Sequence, residues 1–485
     1  MVSSGALRVR AASVAGVLVL VAVATMVTLR GYGGLLFGVA AGLAIAGGLI
    51  YLAWHADPAW TLSGGLLLAP FSGNWDQLGI PAVLGPDRIV MFTGLVAIML
   101  RAPGSLGRPP LLFRPVHWLL LVTVLYALAS AAASGTLLDV ASFAVLFERL
   151  GVSPFLVFLC APAAFRTERQ RRVLLIALIV LGAYLGLTAL FETIPVRSLI
   201  FPRYIADPTY GILPDRARGP FVEPATFGLA LFSSLGACVM GLLIWRRVWI
   251  RLVLVAIASL CAAGLVFTLT RQVWVATIVA CALVGIVVPR LRWYLAPAAI
   301  AGALGVALLL AIVPSLSEKV TERRAQQNTV WDRLNLNRAA LNAIEDRPLF
   351  GVGWESWTKK NADYFELDPN YPLTNVTDAP IHNVFVAYAA QLGLVGVTLW
   401  ACGLFLGIGG TLLNRGPPDI QPWRALLAAV FVFYLVVASF EFVQVFSNLI
   451  VWLLAGALAA PRVWESNGVR PGSSVQTRSL ASVRA

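Results

Sequence analysis

Apolar residues fall in long runs along most of the chain, separated by short polar or Pro/Gly-rich stretches. The runs lie near 11–29, 33–54, 58–71, 86–101, 115–133, 140–164, 172–194, 220–244, 250–269, 273–288, 293–314, 382–411, 425–440 and 442–460. Most are close to the ~20 residues that cross a hydrocarbon core, and some are shorter. In lipid each backbone donor must be satisfied within its own helix or a closed barrel. The pattern therefore predicts an all-α polytopic membrane protein of about 12–14 transmembrane helices. Between the short runs 58–71 and 86–101 the chain holds Pro70, Gly73, Pro81, Gly85 and Pro86. Tilted, broken or re-entrant helices fit there. The first run follows Arg8 and Arg10 and continues past Ala22-Val23-Ala24, which resembles a signal-peptidase site. Its length reads as an uncleaved first span.

Two longer polar segments interrupt the runs, 195–219 and 315–381. The second is nearly charge-balanced and holds Lys319, Lys359 and Lys360, the only lysines of the chain. Val330 to Ile344 reads as an amphipathic helix with Leu334, Leu341 and Ile344 on its apolar side. Trp331, Trp354, Trp357, Tyr364 and Tyr371 make the segment a folded cap at the membrane surface rather than a linker.

Composition agrees with this pattern. The 485 residues are 59% hydrophobic and 12% charged, with a mean hydropathy of +0.83. One transmembrane domain over residues 1–485 is expected. A net charge of +13 would suit nucleic acid, but the distribution of arginine explains it better. With the N-terminus inside, the basic loops around Arg101, Arg108 and Arg114, around Arg166, Arg169, Arg171 and Arg172, around Arg246, Arg247 and Arg251, around Arg290 and Arg292, and around Arg415 and Arg424 all fall on the cytoplasmic side. The basic tail, residues 461–485, falls there too and is expected to be disordered. Segments 195–219 and 315–381 become a short and a large extracytoplasmic loop. Cys160, Cys238, Cys261, Cys281 and Cys402 sit in apolar runs without CxxC spacing, as small hydrophobic residues of helices do.

The candidate chemistry lies on the outer side. Of the three histidines, only His382 is placed outside, where the long loop re-enters the membrane. An imidazole there suits a general base acting on a hydroxyl near the bilayer. The alternative is an interfacial histidine packing a helix start capped by Asn383. Gly393 and Gly396, further along the same run, suit close helix packing equally well. Arg216 and Arg218 precede a bend at Gly219-Pro220, and Arg271 marks a turn inside a run too long for one span. Arginine on short external turns runs against the positive-inside bias, so an anionic ligand such as a phosphate group fits; snorkelling or pairing with Asp215 or Glu223 is the alternative. Glu441, between the last two runs, faces the same side or marks a turn. Asp363, Glu366, Asp368 and Asp378 have no metal-ligand spacing and read as a solvated loop face.

Three stretches together resemble the O-antigen ligase and polymerase superfamily of bacterial membrane glycan transferases. They are Arg218-Gly219-Pro220-Phe221-Val222-Glu223-Pro224; Leu269-Thr270-Arg271-Gln272; and the sequence from Arg333 to Ala340 through Asp346-Arg347-Pro348-Leu349-Phe350-Gly351-Val352-Gly353 to His382-Asn383, with nine residues before Gly393. The resemblance implies a GT-C-like fold in the cytoplasmic (inner) membrane, and the basic loops place both termini on its cytoplasmic side. It implies transfer of a glycan from an undecaprenyl-pyrophosphate carrier to a glycan or lipid acceptor, with no cofactor, metal or nucleic-acid partner. Within it, His382 would be catalytic. Arg218, Arg271 and Arg216 would bind the pyrophosphate, and Asn383, Glu223, Gly351, Gly353 and Glu441 would support the site. Ligase and polymerase branches both remain open. A secondary transporter or flippase for a lipid-linked or anionic solute is the competing class, although the chain has no internal repeat of the kind such proteins show.

Overall fold

The computed structural model describes residues 34–81, 85–100, 111, 113–194, 197–287, 293, 328–366, 380–413, 420–442 and 444–465. The runs expected at 11–29 and 293–314 lie outside them, apart from Trp293, as do Asp368, Tyr371, Asp378 and the tail beyond Glu465. The chain forms two compact units, residues 1–108 and 109–485. In the first, α1 (Gly34–His55), α2 (Pro58–Leu68) and α3 (Pro86–Leu100) pack together. Asp57 caps α2 by accepting the Ala59 N–H at 2.9 Å, and Pro58 fills its first position, where no intrahelical donor is needed.

The second unit is a helical bundle. Its long helices are α4 (Pro115–Ser134), α5 (Val152–Ala164), α6 (Glu168–Thr193), α7 (Pro224–Ile244), α8 (Val248–Phe267) and α9 (Arg271–Val287), followed by α10 (Asn328–Asp346), α11 (Val384–Leu404), α12 (Gln421–Ala438) and α13 (Val445–Glu465). Among the described residues seven helices are long and apolar enough to cross a membrane, and shorter apolar helices accompany them. Leu252, Val253 and Val255 on α8 and Ile176, Val180 and Leu187 on α6 stay exposed, as lipid-facing positions require. The chain is an all-α multi-pass membrane protein. The amphipathic helix expected from Val330 is α10.

Two apolar runs are not single helices, and both breaks position the site. The run 140–164 consists of a short helix (Val140–Val145), a π turn (Leu146–Leu150) and α5, separated at Gly151 by a non-helical φ of −161°. The run 382–411 breaks inside α11 at Gly393, where φ is 68° and ψ −177°.

The second break explains the spacing of the glycine motifs. Opening α11 frees backbone groups that must find partners. The segment Pro348 to Gly353 supplies them. Val352 and Gly353 donate to the carbonyls of Ala390 and Gln391, each at 2.9 Å, and Leu394 donates to Pro348 at 2.8 Å. The Tyr126 hydroxyl donates to the Leu392 carbonyl at 2.8 Å. The two backbones approach so closely that a Cβ on Gly393 would lie 2.2 Å from the Leu349 carbonyl oxygen. A Cβ on Gly351, at φ 69°, would lie 2.5 Å from the Gln391 carbonyl. Both positions need positive φ without a Cβ, which glycine alone supplies at low cost.

Candidate active site

Trp354 anchors the segment that follows. It is fully buried. Its indole N–H donates to the Ser142 carbonyl at 3.3 Å, and its own carbonyl accepts from the Thr136 hydroxyl at 2.7 Å. This fastens the loop to the α4–α5 connection. A second apolar cluster unites Ala339, Ala340 and Ala343 of α10 with Val352, Trp357, Ile381 and Ala390. Ile381 is therefore held rigidly, and His382 follows it. Asn383 then caps α11, its side-chain oxygen accepting from Phe385 at 3.0 Å and Val386 at 3.2 Å. The two readings of His382-Asn383 divide between the residues: Asn383 is the cap, and His382 is left for other contacts.

The His382 Nδ1 lies 2.6 Å from Glu441 Oε1, and Glu441 Oε2 lies 3.5 Å from Arg333 Nη2. The His382 side chain is 26% exposed and that of Glu441 8%. With Glu441 ionised, Nδ1–H donates to the carboxylate and the lone pair is placed on Nε2. That tautomer and orientation suit a base. Arg333 sits on α10 and compensates the buried carboxylate. The turn between α12 and α13 also brings Phe442, whose ring centroid is 6.4 Å from that of His382.

Glu223 is a neighbour of Glu441. It is buried just ahead of α7 and caps that helix by accepting from Ala225 at 2.6 Å and Thr226 at 2.7 Å. Burial, and after it the neighbouring Glu441 charge, hold its carboxyl well above the usual carboxylate range, against the pull of those two N–H groups.

The arginines are arranged differently from one another. Arg218 is 1% exposed. Its guanidinium donates to the carbonyls of Ile205, Asp207, Tyr210 and Ile212, tying down the loop after α6. The Glu192 carboxylate fixes the same bend by accepting the Gly219 N–H at 2.9 Å. Arg216 donates to the Thr270 hydroxyl at 3.1 Å, which brings it beside the turn that carries Arg271. Arg271 opens α9 and is exposed. Phe221 packs edge-on against Phe446 at 5.1 Å, so the 218–223 segment lies next to the turn that holds Glu441. Sequence reasoning found His382 and Glu441 but assigned no role to Arg333, Arg149, Glu355 or Phe442. Arg149 had a signal, since it is a charge inside an apolar run.

Fold and site thus define a multi-pass membrane protein with a histidine–carboxylate dyad where loops and helix ends converge. The O-antigen ligase family model matches residues 258–401. That segment includes Arg271, the glycine interlock and His382, and it supports an O-antigen ligase/polymerase-like family, with lipid-linked glycan substrates and a glycosyltransferase-like activity. No curated protein matches the chain.

Proposed function

We propose that the protein transfers an oligo- or polysaccharide from an undecaprenyl-pyrophosphate carrier to an acceptor hydroxyl at the outer face of the cytoplasmic membrane. Both termini then lie in the cytoplasm. The observation that carries this reading is the His382–Glu441–Arg333 chain of contacts, which leaves Nε2 of a partly exposed imidazole for substrate. Nε2 takes the proton of the acceptor hydroxyl. The oxygen attacks the anomeric carbon from the face opposite the leaving group, and the pyrophosphate departs with the electron pair of its C–O bond, inverting the centre. Glu441 stabilises the imidazolium that forms.

The developing negative charge on the pyrophosphate needs cations. Arg271 is exposed, and Arg216 approaches the same turn. Guanidinium groups bind phosphate oxygens in pairs and stay charged. Arg218 supports the arrangement through the loop it holds and reaches the phosphate only if those carbonyls are released. The test is transfer from the lipid-linked donor by the protein reconstituted in liposomes. His382→Ala lowers the rate by at least about 10²-fold, within the range for loss of a general base. Arg271→Ala lowers it too, with both variants still inserting. Full activity in both would exclude the mechanism.

A further inference from the structure

The mechanism above leaves Arg149 and Glu355 unused. Arg149 lies on the π turn Leu146–Leu150, a geometry that often marks functional positions. Its place is built rather than incidental. The Asn448 amide donates to the Arg149 carbonyl, and the Tyr434 hydroxyl holds Asn448 in turn at 2.8 Å. The guanidinium carbon stands 5.7 Å from the centre of the Phe442 ring, the same ring that neighbours His382. Among the described residues the guanidinium makes no ion pair or hydrogen bond.

Glu355 follows the Trp354 anchor and adopts φ 50°, a left-handed conformation that a side chain rarely takes. Its N–H is held by the Gln391 side-chain oxygen at 2.7 Å. Such strain persists where the surroundings over-determine it, and it gathers at ligand sites. Burial, the largest influence, raises the Glu355 carboxyl above its ordinary range; the Arg149 charge pulls the other way, and the Asp139 charge adds to the rise. The Trp354 anchor, bonded to Ser142, brings Glu355 to the segment that runs into the Arg149 turn, and among the described residues no ion pair joins the two.

We propose that Arg149 and Glu355 form a subsite for the vicinal hydroxyls of a neutral sugar, with Phe442 as the surface on which its pyranose ring stacks. An anion satisfying Arg149 would be repelled by Glu355, and a cation satisfying Glu355 would be repelled by Arg149. A diol suits both, accepting from the guanidinium and donating to the carboxylate. Because Phe442 also adjoins His382, the bound sugar is the one whose hydroxyl reaches Nε2, the acceptor. The identity of this ligand rests on the glycan-transfer reading; the placement of Arg149 and Glu355 does not.

The full chain in lipid nanodiscs tests this by ligand-observed NMR. The probes are the methyl glycosides of glucose, galactose and mannose, with inorganic pyrophosphate as the anionic comparison. At least one glycoside binds the unaltered protein. Arg149→Gln and Glu355→Gln each weaken it by about tenfold or more, as loss of a charge-assisted hydrogen bond does, and leave pyrophosphate binding unchanged. Arg149→Lys, which keeps the charge but not the fork, also weakens glycoside binding. Variants are compared only where melting and gel filtration match the unaltered protein, and Arg149→Lys serves if Arg149→Gln does not fold. Glycoside binding that is absent from the unaltered protein, or unchanged in these variants, overturns the subsite. So does a loss confined to pyrophosphate. The two proposals fail separately. Glycoside binding that depends on Arg149 and Glu355 in a protein without transfer activity would refute the transfer reading alone, and His382-dependent transfer with glycoside binding insensitive to both residues would refute the subsite alone.

Discussion

His382 does its work through neighbours that are far away in sequence. Glu441 is 59 residues on and acts as an acceptor, from Nδ1 and from Arg333. Glu441→Gln keeps the shape but removes the charge that stabilises the imidazolium, so it should lower kcat by about 10²-fold or more while moving KM little. Steady-state transfer kinetics check this, and a change in KM alone would mean that Glu441 acts only in binding. Glu223 makes a different prediction. Its carboxyl is raised by burial, so the folded state holds the proton more tightly than the unfolded chain does. The stability this contributes is complete below the unfolded carboxylate pKa and is lost as pH rises through the folded value. Melting temperature should therefore fall from about pH 5 to about pH 8 in the unaltered protein relative to Glu223→Gln. Parallel curves for the two proteins would show that Glu223 carries no such linkage. His382 was legible as the one histidine placed outside, at the start of an apolar run. Arg333 was not, because one arginine of an amphipathic helix looks like any other until its partner is known.

At the scale of elements, the interlock of Pro348–Gly353 with the opened helix α11 decides where His382 sits. Gly393→Ala forces a Cβ into the Leu349 carbonyl at a positive φ. It should destabilise by a few kcal/mol and reduce transfer with it. Gly409→Ala, where nothing lies within 4 Å, should melt close to the unaltered protein. Thermal melts of the two variants side by side provide the check. The sequence showed both glycine motifs and their spacing, and it allowed close packing as their reason. That the helix breaks at Gly393 was hidden, because Ala387 to Val397 has the composition of an uninterrupted span. The break is stable only because a distant segment satisfies the freed backbone groups. The interrupted run at 140–164 was hidden for the same reason: Asn448, nearly three hundred residues on, caps the carbonyl at its π turn.

For the whole molecule, the arrangement of arginines predicts an orientation. In a variant lacking the five cysteines, single cysteines at Arg203 and Asp363 should react with an impermeant thiol reagent in intact cells. A cysteine at Arg247 should react only after permeabilisation. The opposite pattern would invert the topology and put His382 on the cytoplasmic side. The sequence by itself determined the class of protein, the helices near most of its apolar runs and the histidine worth examining. Those features are local: run length, hydropathy and the rarity of a titratable group report on a few neighbouring residues and on the solvent they meet. The tertiary structure alone decided which charges meet. It joined His382 to Glu441 and Glu441 to Arg333, committed Arg218 to carbonyls of its own loop, and set Arg149 beside the Phe442 ring. Such choices depend on contacts between residues tens to hundreds of positions apart, which hydrophobic patterning does not encode.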